Sequence, residues 1–192
     1  MRGIGLAAVV LALFGAAACA DPVTGKAAGR MLFTAEGAEV EMLAQGFLSA
    51  ADTAALQMVG AAQPYYGAIA VSPEEGLMVE ATVAAANYHD TEAAAAAALA
   101  GCNARRSGKT ACMVVALIRP KGWQARGLQL SAAATAAIRK DYGGRAPKAL
   151  AISPTSGLWG IAKGPGAAQA ALADCAAKAT PPLTDCTLAV VD

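Results

Sequence analysis

A single histidine, His89, serves the whole chain of 192 residues, and aromatic side chains make up only 5% of it. Each scarcity closes off a chemistry. General acid–base catalysis leans on histidine more than on any other side chain, and a zinc site would want histidine or closely paired cysteines. Paired carboxylates that cleave sugars need a cleft with aromatic platforms, which so few rings do not furnish. Glu39 and Glu41, on one face of an expected strand, and Glu74 and Glu75, in an expected turn, therefore read as solvated edge and turn residues. No Gly-x-Ser-x-Gly elbow occurs. His89 beside Asp90 reads as a surface histidine next to a helix cap, because sequence neighbours rarely orient one another as a triad requires. A small periplasmic hydrolase using His89 and Asp90 with a serine such as Ser72 is the enzymatic alternative. The rings of Tyr65, Tyr66, Trp123 and Trp159 read as packing.

Much of the 56% hydrophobic content is alanine, which favours helices but buries little area per residue. Such a core benefits from covalent staples. Residues 1–18 combine Arg2 with an uncharged apolar stretch from Gly3 to Ala18, the pattern of a secretory signal and shorter than the ~20 residues of a full membrane span. Ala16, Ala17 and Ala18 before Cys19 resemble a lipobox, which would make Cys19 a lipid-bearing terminus. Ala18-Cys19-Ala20 also satisfies the small-x-small rule of ordinary cleavage. Either cut leaves Cys102, Cys112, Cys175 and Cys186, an even set suited to a compartment where disulfides persist.

The chain carries an internal repeat. AIAVSPEEGLMVEA (68–81) aligns without gaps on ALAISPTSGLWGIA (149–162), with seven of fourteen positions identical, Ser-Pro-x-x-Gly-Leu among them. Downstream, ALAGC ending at Cys102 matches ALADC ending at Cys175, and Cys112 and Cys186 each precede an apolar run. Each copy reads physically as strand, strand, helix, strand. Pro73 begins a type I turn and Gly76 supplies a left-handed residue, giving a four-residue hairpin loop. Asp90 or Thr91 caps a helix with Glu92 in its first turn, and a strand from Cys112 to Ile118 follows. The second copy places strands near 149–153 and 158–162, a helix near 165–178 and a strand near 186–191. In both, the cysteines join a helix end to the start of the next strand, which pairs Cys102 with Cys112 and Cys175 with Cys186.

The expected fold is α+β: two pseudo-repeated strand-strand-helix-strand units with a disulfide each, a linking helix between them, and a short N-terminal helical segment. The divisions are a signal peptide (1–18), a flexible tether (19–30), an N-terminal segment (31–64), repeat 1 (65–126), a linking helix (127–146) and repeat 2 (147–192). Within the N-terminal segment, Met31 to Thr34 and Val40 to Leu43 read as short strands. The Ser-x-x-Asp start at Ser49 reads as a capped helix before Pro64. Leu128 to Tyr142 reads as the linking helix, with Arg139 and Lys140 in its last turn.

The string YYGAIAVSPEEG, followed by an alanine-rich helix ending in Cys and then by Cys-x-Val-Val, resembles a secreted bacterial module, domain-of-unknown-function family 4189. The resemblance covers Tyr65 to about Leu117, with a degenerate second copy over Pro147 to Val191. Met78 stands where an aromatic residue or glycine is expected, whereas the second copy has Trp159 and Gly160. The resemblance implies an exported, disulfide-bonded fold and no particular activity.

Charge is distributed unevenly: residues 20–102 hold two basic and ten acidic residues, and residues 103–148 ten basic and one acidic. Arg105, Arg106, Lys109, Arg119, Lys121 and Arg126 are candidates for an anion-binding face. The plainer reading is that the two segments face each other within the fold or are solvated. NARRSGKT (103–110) comes within one residue of a phosphate-binding loop, but it leaves a helix and enters a strand, the reverse of the order that aims amides at a phosphate. These residues point to a non-catalytic periplasmic or outer-membrane lipoprotein. Its expected partner is another envelope protein or an anionic lipid or polysaccharide, with no nucleic acid, no metal and no cofactor, and membrane attachment only through Cys19. A secreted inhibitor or accessory subunit is the further alternative.

Overall fold

The computed structural model describes residues 21–192; the signal-like stretch and Cys19 lie outside the described residues. Five helices and seven strands follow one another there. The first unit consists of β2 (Gly67–Val71), β3 (Val83–Ala85), α3 (Thr91–Arg105) and β4 (Met113–Pro120), and the second of β5 (Lys148–Ile152), β6 (Trp159–Lys163), α5 (Ala167–Ala176) and β7 (Thr187–Val191). The expected α+β duplication is present. In each unit the first strand lies between the other two, all antiparallel. Even the bulge recurs: register slips between Ile69 and Ala70 in one sheet and between Leu150 and Ala151, their aligned counterparts, in the other.

Strand alternation sends Ala68 and Ala70 to one face, under α3, and Ile69 and Val71 to the other. The second sheet follows suit, with Ala149 and Ala151 under α5 and Leu150 facing a separate core. Alanine suits the helix-covered faces because its small side chain lets a helix lie close on the sheet. Disulfides close both connections, Cys102–Cys112 and Cys175–Cys186, tying each helix to its following strand.

The opposite faces are covered by the remaining elements. β1 (Ala38–Met42) extends the first sheet along β4, and α2 (Ala50–Ala61) packs against β1 and β4 through Leu56 and Gly60. Ser49 caps α2 as its sequence implies, with reciprocal bonds to Asp52. The linking helix is α4 (Ala132–Asp141), capped by Ser131; its Ala134 and Ile138 belong to the core of the second unit.

Two expectations need correction. The 19–30 stretch is not a flexible tether over its described part: Val23 bridges to Val190 at the edge of the second sheet, and α1 (Gly25–Met31) starts at a Thr24 cap. Ala28 is fully buried in the core of that unit, and Asp192 accepts from Gly25 N. The strand expected over Met31 to Thr34 is absent as well: Met31 ends α1, and residues 32–34 form neither helix nor strand. The second correction concerns the hairpins. In the second unit Ser153 N donates to Leu158 O at 2.9 Å, closing the four-residue loop, and pairing resumes at Trp159. In the first unit Gly76 does adopt the left-handed conformation, but Leu77–Ala81 forms no strand and pairing resumes only at Val83.

The two return strands pair in the same register and differ in the loop that leads to them. Gly160 lies so close beneath α5 that a Cβ there would sit 2.3 Å from Cys175 N and 2.4 Å from Ala171 O. The aligned residue in the first unit is Val79. The residue that pairs in the place of Gly160, however, is Val83, opposite Ala70 and half-buried beneath α3, so the return strand is entered four residues later and Met78 lies in the longer loop, 98% exposed.

Candidate functional site

His89 is not on the surface. It is 2% exposed, its Nδ1 accepts from Ser131 N at 3.0 Å, and its Nε2 lies 3.2 Å from Leu158 O. Since a backbone amide can only donate and a carbonyl can only accept, the ring is neutral with its proton on Nε2. Burial pushes its pKa down to about 4. The imidazole thus joins three places: the entrance of α3, the N-terminus of α4 and the turn of the second unit. Asn87 Oδ1 adds a bond from Ala133 N at 3.0 Å. Gly157 approaches so closely that a Cβ on it would lie 2.5 Å from Asn87 O. Asp90 is spent as the α3 cap, accepting from Ala93 N at 2.7 Å. Ser72 is fully buried, and both imidazole nitrogens are occupied by backbone. The residues of the hydrolase alternative are therefore not brought together as nucleophile and base.

The near-phosphate loop does bind an anion through its amides, and the anion is the protein's own. Glu75 Oε1 accepts from Ser107 N at 2.7 Å and Gly108 N at 2.5 Å; Glu74 accepts from Lys109 N at 3.0 Å and from the Thr110 hydroxyl. The Gly108 amide holds the Glu75 carboxyl below its usual range, and the Thr110 hydroxyl does the same for Glu74. The second unit makes the same join with the parts exchanged. Its loop supplies the carboxylate, Asp185, and its turn supplies the donors: the Ser153 hydroxyl at 2.8 Å, and the Thr155 hydroxyl and amide at 2.6 and 3.2 Å. Burial raises Asp185, but the hydrogen bonds from Thr155 and Ser153 outweigh it and leave the pKa lowered.

The six candidate anion-binding residues do not form one face. Arg105, Arg106 and Lys109 precede β4 and Arg119, Lys121 and Arg126 lie at or beyond its far end, about 25 Å away along an extended strand. Several serve the fold. Arg119 pairs with Glu41 and covers the Trp123 ring. Arg126 donates to Met31 O at 2.7 Å and lies 3.7 Å over the Phe33 ring. Arg105 donates to Gly101 O, and Arg106 to Asn103 and Gly108. Lys109 and Lys121 are exposed. The acidic and basic halves thus face each other at Glu41 and Glu39, which accept from Arg119 and Gly122 N, and again at the Glu74–Glu75 clasp. Tyr65 and Tyr66 are buried core, with the Tyr66 phenol pushed up to about 12 by burial. Trp123 and Trp159 pack half-buried against the two cores.

Sequence reasoning did not find an apolar groove between α2 and the 77–82 segment. Its cavity of about 220 Å³ is floored by Ile69 and Ala84 and walled by Leu56, Val59, Leu77 and Met78. Met58 and Val59 on α2 are 72% and 49% exposed. The signal available beforehand was the Met78–Val79 departure from the aromatic–glycine pair of the second copy. Among the described residues, no group of three histidine, cysteine, aspartate or glutamate side chains could hold a metal ion, and no helix is long and apolar enough to cross a membrane.

The architecture defines a disulfide-pinned α+β protein of two duplicated units, each with a carboxylate clasp between turn and disulfide loop, and with His89 and Asn87 reaching from the first unit to α4 and the second. No family model matches the chain, and neither the curated proteins nor the solved structures contain a match.

Proposed function

We propose that the chain is an exported, non-catalytic binding module that works in the envelope by surface recognition of another protein. The observation that carries this reading is the position of His89: the sole histidine is buried, neutral and hydrogen-bonded through both nitrogens to backbone. Export is supported by the signal-like N-terminus and by two disulfides, which suit an oxidising compartment. Lipid attachment at Cys19 and kinship with family 4189 belong to the same proposal. An anionic ligand ranks behind a protein partner, because Arg119 and Arg126 are engaged with the chain's own Glu41, Phe33 and Met31. That version narrows to Arg105, Arg106 and Lys109.

The test is covalent labelling of the exported protein with a fluorophosphonate probe, followed by intact mass with and without reductant. The expected result is no labelled serine, two disulfides, and a lipid-sized increment at Cys19. Labelling of Ser72 or Ser153 would overturn the non-catalytic reading.

A further inference from the structure

The groove of the first unit is open because its return strand brings small residues to the apolar face: Ala84 lies opposite Ile69 where Ile161 lies opposite the aligned Leu150, and Thr82 comes two residues before Ala84 as Trp159 does before Ile161. In the second unit Trp159 and Ile161 pack half-buried beside Leu150 in the apolar core. Met78 occupies the aligned place of Trp159 and Ile69 that of Leu150, yet Met78 is almost fully exposed and Ile69 lines a cavity. The fold thus carries its own template for the missing group: a large, ring-bearing side chain.

Size agrees with the template. At about 220 Å³, the cavity falls below the roughly 300–1,000 Å³ of small-molecule pockets. It exceeds the ~150 Å³ that accepts a benzene-sized ring. Methionine on the rim suits a surface that adapts to an incoming side chain, and contiguous exposed apolar groups mark interaction sites.

Charge limits what can carry that side chain. Every lining residue comes from residues 31–104, which hold nine acidic residues and no lysine or arginine. Glu80 stands in the groove wall segment and is exposed. The nearby cations Arg105 and Arg106 are tied to Gly101, Asn103 and Gly108 beyond α3, and α3 covers the other face of the sheet.

We infer that this groove docks a polypeptide segment that inserts one large aromatic side chain and flanks it with lysine or arginine. The inference rests on the binding-module reading and names its site and partner class. Affinity would concentrate in the inserted ring, as interface anchors do, and the flanking cations would speed encounter and make it salt-sensitive.

The experiment uses the oxidised full chain with carbon-13-labelled methionine methyls and a capped Lys-Lys-Trp-Lys-Lys peptide. Met58 and Met78 should shift on titration while Met31 and Met42 stay. Ala55→Trp, which fills the groove from an exposed position on α2, should weaken binding by about tenfold or more. Val59→Ser should weaken it with no new bulk, and Glu80→Lys should remove much of the salt dependence. The inference is overturned if a Lys-Lys-Ser-Lys-Lys peptide shifts the same methyls equally, or if both Ala55→Trp and Val59→Ser bind as the parent does. It is also overturned if monomeric dodecylphosphocholine competes out the peptide at lower concentration, the sign of an acyl-chain site. Dimerisation through the same methyls, seen by sedimentation without peptide, would assign the groove to a second copy instead. Failure of this binding with no probe-labelled serine leaves the non-catalytic reading intact, whereas a labelled serine defeats that reading itself.

Discussion

Protonating His89 should loosen the join between the two units. In the folded chain its pKa is pushed down to about 4 by burial, against 6.5 for a free imidazole. A base whose folded pKa is depressed stabilises the fold fully above the unfolded value and loses that contribution as pH falls towards the folded one. The window here runs from 6.5 down to about 4. At 1.36 kcal/mol per pH unit the whole loss is about 3 kcal/mol, of which about 2 kcal/mol falls between pH 7 and pH 5. Geometry gives the same direction: a proton on Nδ1 would point at the Ser131 N–H, so one donor must withdraw.

Urea unfolding of the oxidised protein, followed by tryptophan fluorescence, measures the effect across that range. The parent should take up close to one proton on unfolding near pH 5. His89→Gln, which keeps a donor for Leu158 O and does not titrate, should be less stable at neutral pH yet nearly flat between pH 5 and 7. Carboxylates contribute little there, since Glu74, Glu75 and Asp185 are all lowered from values that are already below 5. Equal slopes for parent and variant, or an imidazole that titrates near 6.5 in the native state, would refute the reasoning.

Gly160→Ala should cost about 3 kcal/mol or more in thermal or chemical unfolding, because the added methyl meets the α5 backbone and only movement of the whole helix relieves it. Val79→Gly should be tolerated with little loss, since Val79 is already exposed. Replacing Cys102 and Cys112 together by serine should cost about 3 kcal/mol in the chain-entropy view, and the pair Cys175 and Cys186 should cost a similar amount. Glu75→Gln should leave the fold standing but raise hydrogen exchange at the Ser107 and Gly108 amides, while Asp185→Asn should loosen the Ser153–Thr155 turn of the second unit.

The duplication made much of the architecture legible. Two aligned copies gave the turn, the helix and both disulfides, and the caps at Ser49 and Asp90 obey local rules that need no tertiary information, whereas the linking helix, expected from Leu128, starts only at Ala132 after the Ser131 cap. What escaped depended on distant partners. His89 looked like a surface residue because its ligands, Ser131 N and Leu158 O, are 42 and 69 residues away. Helix α1 is seven residues with two glycines, and packing of Ala28 stabilises it more than propensity does. The clasp between turn and disulfide loop did have a signal in the aligned copies. Where the turn carries Glu74 and Glu75, the loop before Cys112 has no acid; where the turn carries Thr155 and Ser156, the loop gains Asp185.

That exchange of donors and acceptors shows how the copies diverged without losing their frame. Turn and disulfide loop stay joined in both units because amides and hydroxyls need a carboxylate, and it matters little which side provides it. The hairpins diverged further. Glycine at 160 lets the return strand follow the turn directly beneath α5, whereas the first unit enters its return strand four residues later, at Val83 beneath α3. One unit therefore packs Trp159 half-buried on its core, while the other exposes Met78 and opens a groove between α2 and β3. Because His89 and Asn87 tie the open unit to the closed one, the second unit serves the first as a rigid support.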